Sequence, residues 1–356
     1  MTASPERLRI AVLYGGRSAE HDVSVMSATN VVAGLDPAKY DVVPVFVTRE
    51  GQWRSASFAD GTLTADETGP ELALVPGGRG RLLAAGPDGT DELPPIGALF
   101  PVLHGPHGED GSVQGLAAVA RVPLVGCGIA GSATSIDKDL AKRLLRDAGI
   151  PVARSLVLRQ GDTLLSFAEL QTQLGLPVFV KPARQGSSVG VSKVADAAGY
   201  DAALAEGFRH DDKLLAEEFI DGREIEFAVL EDPQGALAVS RPGEIVPAES
   251  HGFYSYDAKY VDADGAALKI PAELAPDMEA RLRDMAATAF RATGCDAMAR
   301  VDFFVTADMR CLVNEINTIP GFTDISMYAK ALAASGIAYA ELLDRLIAHG
   351  LARAAR

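Results

Sequence analysis

The N-terminal stretch LRIAVLYGGRSAEHDVSVMSATNVVAGL starts as an unbroken apolar run and changes, after two glycines, to a helical pattern that opens at Ser18. Such a run indicates a strand that is buried on both faces, as in a parallel sheet. Three further apolar strands are predicted, at YDVVPVFVT, IGALFPVLHG and RVPLVGCG. Alternating strands and helices predict a doubly wound, Rossmann-like α/β domain over residues 1–130, with residues 55–95 as loops and edge elements.

Beyond residue 130 the strands become denser. They are predicted at ARSLVL, PVFVKPA, GVSKV, KLLAEEFI and REIEFAVLED, with helices near residues 137–147, 196–209 and 277–293 and after Tyr339. A chain of 356 residues is too long for one ordinary core. We therefore predict a mixed α/β (α+β) chain with domains over residues 1–130, 131–220 and 221–356.

Charge and cysteine content limit the possible partners and the compartment. The net charge of −15 argues against a nucleic-acid or membrane partner, since both require basic patches. The three cysteines are sparse and lack metal-ligand spacing, which indicates reduced thiols in a cytoplasmic protein. The N-terminus has no signal-peptide pattern, and no apolar run reaches the roughly 18 residues that span a membrane.

Two strands near the C-terminus, ARVDFFV and CLVNEIN, are predicted to form a hairpin around TADMR. Pairing Val305 with Leu312 would bring four polar side chains onto one face: Arg300, Asp302, Glu315 and Asn317. One interpretation is a solvated sheet face with an ordinary ion pair. The other is a site for a hard cation, which prefers carboxylate and amide oxygens.

Two glycine-rich stretches are candidates for binding phosphate. GCGIAG, at residues 126–131, fits the dinucleotide pattern G-x-G-x-x-G, but the helix begins several residues later and no acid follows in a second βαβ unit. KPARQGSSVGVSKV is instead a strand, a glycine loop and a strand, which can fold over a triphosphate and offer amide hydrogens and hydroxyls. Lysines that could supply positive charge there are Lys138, Lys181 and Lys259.

Eight motifs, in order along the chain, resemble the D-alanine–D-alanine ligases of the ATP-grasp superfamily. They are GGRSAEHDVS, LHGPHGEDG, IDKDLAK, KPARQGSSVG, EEFIDGREIEFAVL, FYSYDAKY, RVDFF and NEINTIPGFTDIS. The resemblance implies that the Rossmann-like domain is followed by two ATP-grasp domains that enclose ATP. It also implies a homodimer and a role in making peptidoglycan precursors.

The resemblance implies an ATP site with two magnesium ions, for which Mn²⁺ can substitute. Its residues would be Lys138 and Lys181 near the phosphates, Ser187, Ser188 and Val189 in the covering loop, Glu217 on the adenine amine, the backbone of Phe219 and Ile220 on the ring, and Glu224 on the ribose. The metal ligands would be Asp302, Glu315 and Asn317, with Glu315 bridging both ions.

The implied reaction joins two D-alanines through a D-alanyl phosphate, with release of ADP and phosphate. The implied substrate and catalytic residues are Glu20 on the first ammonium, His104 near the first carboxyl group, Arg300 and the N–H of Gly321 on the oxyanion, and Ser326 on the second carboxylate. Lys259 and Tyr260 would lie on a mobile closing loop at residues 250–262, with Tyr260 linked to Glu20 and Ser187 and associated with selectivity for D-alanine.

Several alternatives remain at the sequence level. The chain could be a D-alanine–D-lactate ligase or another ATP-grasp carboxylate–amine ligase. Two alternatives from other classes are a nucleotide-binding protein without catalysis and a Rossmann oxidoreductase. The first requires loss of ligand or catalytic positions, yet every implied position is filled. The second depends on GCGIAG alone.

Overall fold

The computed structural model describes residues 7–247, 266–323 and 325–355. The strands up to residue 101 are β1 (Leu8–Gly15), β2 (Tyr40–Val47), β3 (Trp53–Ser55), β4 (Phe58–Ala59), β5 (Thr62–Leu63), β6 (Glu71–Leu74), β7 (Leu82–Gly86), β8 (Gly89–Leu93) and β9 (Ala98–Pro101). Seven of them form one sheet in the order β8-β7-β6-β3-β2-β1-β9, while β4 and β5 pair with each other. Strand β1 is parallel to both β2 and β9, as the doubly wound pattern predicts.

The segment predicted as loops and edge elements, residues 55–95, forms one edge of this sheet. Residues 53–93 contribute four strands that extend the sheet in antiparallel order on the β2 side. The fourth parallel strand predicted at RVPLVGCG is confirmed in position and direction but not in length, since this segment makes a single parallel bridge, between Leu99 and Leu124. The chain turns away from the sheet two residues later, at Gly126, whose φ of 107° belongs to the left-handed region.

The helices are α1 (His21–Gly34), α2 (Ser112–Ala120), α3 (Ile129–Ile136), α4 (Lys138–Asp147), α5 (Phe167–Leu174), α6 (Ala197–Gly207), α7 (Pro276–Ala292), α8 (Met327–Ala333) and α9 (Tyr339–Ala354). Helices α1 and α2 explain the unbroken apolar run of β1. Ile10 and Val12 pack in the core that holds α1, whereas Ala11 and Leu13 pack in the core that holds α2.

None of the helices within the described ranges has the length and apolar character that a membrane crossing requires.

Two further sheets follow. Four antiparallel strands, in the order β10-β13-β11-β12, are β10 (Ser155–Arg159), β11 (Val178–Pro182), β12 (Ser192–Val194) and β13 (Lys213–Glu218). The last sheet has the order β17-β16-β14-β18-β19, with β15 also paired to β14, and its strands are β14 (Arg223–Glu231), β15 (Leu237–Val239), β16 (Gly243–Pro247), β17 (Ala266–Lys269), β18 (Met298–Val305) and β19 (Cys311–Asn317).

The hydrophobic cores show how these parts are joined. The four-stranded sheet has its own core, formed with α5 and α6. A larger core joins β1 and α1 to α8 and α9, so the two ends of the chain pack together. The domain boundaries at residues 130 and 220 stay a prediction.

Candidate active site

A cavity of about 410 Å³ lies between the four-stranded and the six-stranded sheet. Its lining contains most of the implied ATP and metal residues: Lys138, Lys181, Ser187, Ser188, Glu217, Phe219, Ile220, Glu224, Arg300, Asp302 and Glu315. These residues come from widely separated parts of the chain, yet the fold brings them around one space. Lys259, Tyr260 and the predicted closing loop at 250–262 lie outside the described residues.

The hairpin of β18 and β19 forms one wall of this cavity. Asp302 faces Glu315 and Arg300 faces Asn317, which confirms the predicted pairing at the polar end. The predicted pairing of Val305 with Leu312 is wrong, because Val305 faces Cys311 instead.

The reason for this difference is a bulge between the two ends of the hairpin, where the extra residue on β19 is Asn314. Without the bulge, Glu315 would point to the same side as Val313, into the core. With it, Ile316 takes the core side and Glu315 faces the cavity. Asn314 also lines the cavity, a role that the pattern of the strand alone did not predict.

Arg300 organises the polar face of the hairpin. Its Nε and Nη2 donate to the two carboxylate oxygens of Asp302 at 2.8 and 2.7 Å, and Nε also lies 3.1 Å from Glu226 Oε2. Burial alone would lower the pKa of Arg300, but the carboxylates of Asp302 and Glu226 outweigh it and raise that pKa well above its ordinary value. The guanidinium therefore stays charged and fixes the orientation of Asp302.

Asn317 completes this face by donating from Nδ2 to Asp302 Oδ2 at 2.9 Å, which turns its amide oxygen away from that carboxylate. Two carboxylates and an amide are the hard oxygen donors that Mg²⁺ prefers, and this ion usually leaves other positions to phosphate and water. The donor set thus fits Mg²⁺. Because its third member is an asparagine, this set is not a cluster of three acidic, His or Cys side chains. Within the described ranges, no group of three or more His, Cys, Asp or Glu side chains is arranged to hold a metal.

Glu217 lies at the inner wall between two lysines. Its Oε1 accepts from Lys181 at 2.7 Å, and its Oε2 lies 2.6 Å from the ammonium of Lys142. Burial alone would raise the pKa of Glu217, but the two ammonium groups lower it to about 2. Sequence reasoning missed Lys142, although it follows Lys138 by four residues, a spacing that puts both side chains on one face of α4.

We expect Glu217→Gln to lower the free energy of unfolding at pH 7 by about 3 kcal/mol, since the buried ammonium of Lys142 and the partly buried ammonium of Lys181 lose their anion. The folded pKa of about 2 lies below the ordinary value of 4.5, so the carboxylate stabilises the protein above pH 4.5. This contribution is lost as the pH falls through 2. Urea unfolding of both proteins should therefore give a difference that shrinks with acidification. If the difference in unfolding free energy between the two proteins did not change with pH, Glu217 would not have the lowered pKa that its two lysines imply.

Phe219 provides an apolar surface at the mouth of the cavity. The residue is 37% exposed, its ring centroid lies 6.1 Å from that of Phe179, and the ammonium of Lys193 lies 4.5 Å from its centroid. The backbone N–H of Phe219 donates to Pro177 O at 3.3 Å, which places the peptide at the end of β13. An aromatic ring beside an open cavity suits a flat ligand.

The glycine-rich loop reaches the N-terminal part of the chain. Ser187 Oγ donates to Glu20 Oε1, just before α1 begins. A Cβ on Gly186 would lie 2.9 Å from Glu20 Oε2, so glycine permits this close approach. At the base of the loop, Lys138 Nζ donates to Gln185 O at 2.6 Å. The loop is therefore held from two sides, and Ser187 and Ser188 both take left-handed backbone angles.

Two further segments, the LHGPHGEDG loop and the turn after β19, meet beside Glu20. His104 Nδ1 contacts Ile319 O at 3.0 Å. Glu109 accepts from the N–H groups of Gly105 and Ile319 at 2.8 and 2.9 Å, so it ties the LHGPHGEDG loop to the turn after β19. Sequence reasoning assigned no role to Glu109, because its second partner lies 210 residues away.

The turn after β19 contains the two remaining implied residues. A Cβ on Gly321 would lie 2.7 Å from Ser326 Oγ, so a larger residue would displace that hydroxyl. Ser326 Oγ accepts from the N–H of Thr323 at 2.9 Å. Gly321 and Ser326 are therefore neighbours across this turn. Neither belongs to the lining of the 410 Å³ cavity.

A second cavity, of about 870 Å³, contains part of the GCGIAG stretch in its wall. The N–H of Gly128, at the N-terminus of α3, donates to Asp296 Oδ1 at 2.6 Å. A carboxylate thus occupies the donor that a dinucleotide phosphate would need. A Cβ on Gly131 would lie 2.6 Å from Cys127 Sγ, so this glycine serves close packing.

Comparison with known proteins agrees with this geometry. Residues 9–127 match the family model described as D-ala D-ala ligase N-terminus, and residues 144–348 match D-ala D-ala ligase C-terminus. The chain is 62% identical over 348 residues to D-alanine–D-alanine ligase A of Brucella suis, covering 98% of each chain.

Two solved structures share the fold. A D-Ala:D-Ser ligase from Enterococcus faecalis has a TM-score of 0.84 at 33% identity, covering 97% of this chain and 100% of that one. The D-alanine–D-alanine ligase of Bacillus anthracis complexed with ATP has a TM-score of 0.73 at 26% identity, covering 98% and 99%. The predicted α/β fold with ATP-grasp domains is therefore confirmed. The chain belongs to the D-alanine–D-alanine ligase family.

Proposed function

We propose that this protein joins two D-alanines to D-alanyl-D-alanine, converting ATP to ADP and phosphate, and so supplies a precursor for peptidoglycan. The observation that carries the proposal is the 62% identity to a D-alanine–D-alanine ligase over nearly the whole chain. The cavity between the two sheets supports it, because its lining combines lysines, an aromatic ring and carboxylates. The family resemblance also leads us to propose a cytoplasmic homodimer, to be tested by light scattering.

ATP would lie in the 410 Å³ cavity. Phe219 would pack against the base, Glu217 would accept from its amine, and the backbone at Phe219 and Ile220 would bind the ring edge. Glu224, on the cavity face of β14, would bind the ribose. Lys138 and Lys181 would supply positive charge for the phosphates, under the loop that contains Ser187 and Ser188.

Asp302, Glu315 and Asn317 would hold two Mg²⁺ ions. Bound there, the ions would neutralise charge on the ATP phosphates. Arg300 holds the carboxylate of Asp302 in one orientation, and Asn317 donates a further hydrogen bond to it. The chain therefore preorganises its oxygen donors, which reduces the reorganisation needed during the reaction.

The carboxylate of the first D-alanine would attack the γ-phosphorus of ATP and form an acyl phosphate with loss of ADP. The neutral amine of the second D-alanine would then attack the acyl carbon, the nitrogen would lose one proton to solvent, and phosphate would leave with the electrons of the broken C–O bond. Arg300 and the N–H of Gly321 would stabilise the developing oxyanion. Glu20 would bind the first ammonium, with His104 near the first carboxyl group, and Ser326 would bind the second carboxylate.

The identity of the second substrate needs a direct test, because a D-Ala:D-Ser ligase shares this fold. We expect phosphate release from ATP with D-alanine alone, and D-alanyl-D-alanine as the main product near neutral pH. D-Serine, D-lactate and L-alanine, each offered with and without D-alanine, serve as comparisons, with products separated by mass. A wild-type protein that makes mainly a D-lactate ester or a D-serine dipeptide in competition would contradict the proposed substrate.

A further inference from the structure

Lys142 is a fully buried lysine that lies behind the cavity. It is 1% exposed, and it does not belong to the lining of the 410 Å³ cavity. Its ammonium lies 2.6 Å from Glu217 Oε2. A ligand in the cavity therefore meets Glu217, and Lys142 stands on the far side of that carboxylate.

Lys181, the other partner of Glu217, is placed differently. Its side chain is 12% exposed and lines the cavity, whereas that of Lys142 is 2% exposed. Both lysines lie within 2.7 Å of the same carboxylate, one on each oxygen. The ammonium of Lys181 can therefore turn from Glu217 toward an anionic ligand in the cavity. The ammonium of Lys142 is buried and stays beside the carboxylate.

This difference matters because an unpaired buried carboxylate is unstable. If Lys181 were the sole partner of Glu217, its turning toward a phosphate would leave the carboxylate without a counter-ion. With Lys142 in place, Glu217 keeps one ionic partner throughout. Burial lowers the pKa of Lys142, and the charge of Glu217 acts against that shift, so each group favours the charged form of the other.

We propose that Lys142 is a positioning residue for nucleotide binding, which holds Glu217 charged and in place so that Glu217 selects a 6-aminopurine and Lys181 is released to the phosphates. This inference rests on the proposed function, since it takes ATP as the ligand of the cavity. It assigns to Lys142 an effect on ATP that is transmitted through Glu217, without contact between Lys142 and the nucleotide.

The test compares K142M, K142R, E217Q and the double variant K142M/E217Q. We expect K142M to raise the KM for ATP and its Kd by about tenfold or more, the effect of losing a charge-assisted contact. The KM for D-alanine should stay near the wild-type value. The preference for ATP over GTP should fall, because a displaced or neutral Glu217 no longer requires a 6-amino group. K142R should restore most of the affinity, since it keeps the charge.

The double variant separates positioning from general packing. If Lys142 acts through Glu217, K142M/E217Q should bind ATP no more weakly than E217Q does. A further loss in the double variant would overturn the proposal. This comparison also holds if K142M alone folds poorly, because replacing both members of a buried pair is better tolerated than replacing one.

Lys213 offers a matched control. It is a buried lysine, 5% exposed, whose ammonium donates to both carboxylate oxygens of Asp137, the N-cap of α4, at 2.7 and 2.5 Å. K213M removes a buried charge beside the same helix but leaves Glu217 with both lysines. We expect K213M to lose thermal stability and to keep the ATP-to-GTP preference. Equal changes in nucleotide preference in K213M and K142M would overturn the proposal in favour of a loosened helix.

Equilibrium binding keeps this inference separate from the proposed function. Calorimetric titration with ATP or GTP and magnesium measures affinity without D-alanine. Wild-type protein that binds ATP but releases no ADP with D-alanine would contradict the proposed ligase function and still test Lys142. Wild-type ligation together with unchanged nucleotide affinity and preference in K142M would overturn the role of Lys142 alone.

Discussion

Glu315→Gln should reduce turnover of ATP with D-alanine by at least about a thousandfold, equivalent to about 4 kcal/mol of transition-state stabilisation. Glu315 lies opposite Asp302 on the cavity face of the hairpin, where the Asn314 bulge directs it. A neutral amide has one acceptor oxygen and no charge, so it would not balance the charge of the two proposed divalent cations beside a triphosphate. We expect the fold to persist, since the substitution keeps the volume of a half-buried side chain.

The measurement is ADP release over a range of magnesium concentrations, with circular dichroism and thermal unfolding to check the fold. Glu244→Gln is a matched control, because Glu244 also lines the cavity but is bound by the fork of Arg223 at 2.7 and 2.9 Å. It should retain much more turnover than Glu315→Gln. Near-normal ligation by Glu315→Gln at millimolar-range magnesium would exclude Glu315 as a magnesium ligand.

Arg300 should show the second large effect, in both catalysis and stability. Arg300→Lys keeps the charge but loses the two-pronged contact with Asp302, and we expect turnover to fall by about a hundredfold or more. Arg300→Met also removes the charge that compensates Asp302 and Glu226, two residues that are 7% and 4% exposed. It should therefore lower the free energy of unfolding by about 3 kcal/mol.

Steady-state kinetics and urea unfolding of both variants measure these effects. Arg291→Met provides the comparison, because Arg291 forms an ion pair with the buried Glu231 at 2.5 Å and does not line the cavity. This control should lose stability and keep turnover. Wild-type turnover in Arg300→Lys would show that the fork to Asp302 is not needed for the reaction.

Much of this protein follows from local sequence. The apolar run of β1 predicts a strand buried on both faces, and packing in two separate cores explains it, because each face of a central strand meets a different helix. The polar end of the hairpin is predictable too, since strand periodicity and two short motifs place Asp302 opposite Glu315. Motif order alone indicates the family, which the comparisons confirm.

Tertiary structure decided the features that depend on distant partners. The bulge at Asn314 is invisible in a single strand, because an extra residue exists only relative to the strand that pairs with it. The segment RVPLVGCG is apolar enough for a strand, yet it makes one bridge because the chain turns at Gly126. A lysine in a helical motif reads as a surface residue, and Lys142 is buried because Glu217, 75 residues later, supplies its counter-charge. Local periodicity determines which helices and strands form. Burial, strand pairing and charge compensation depend on contacts between residues that are far apart in the sequence.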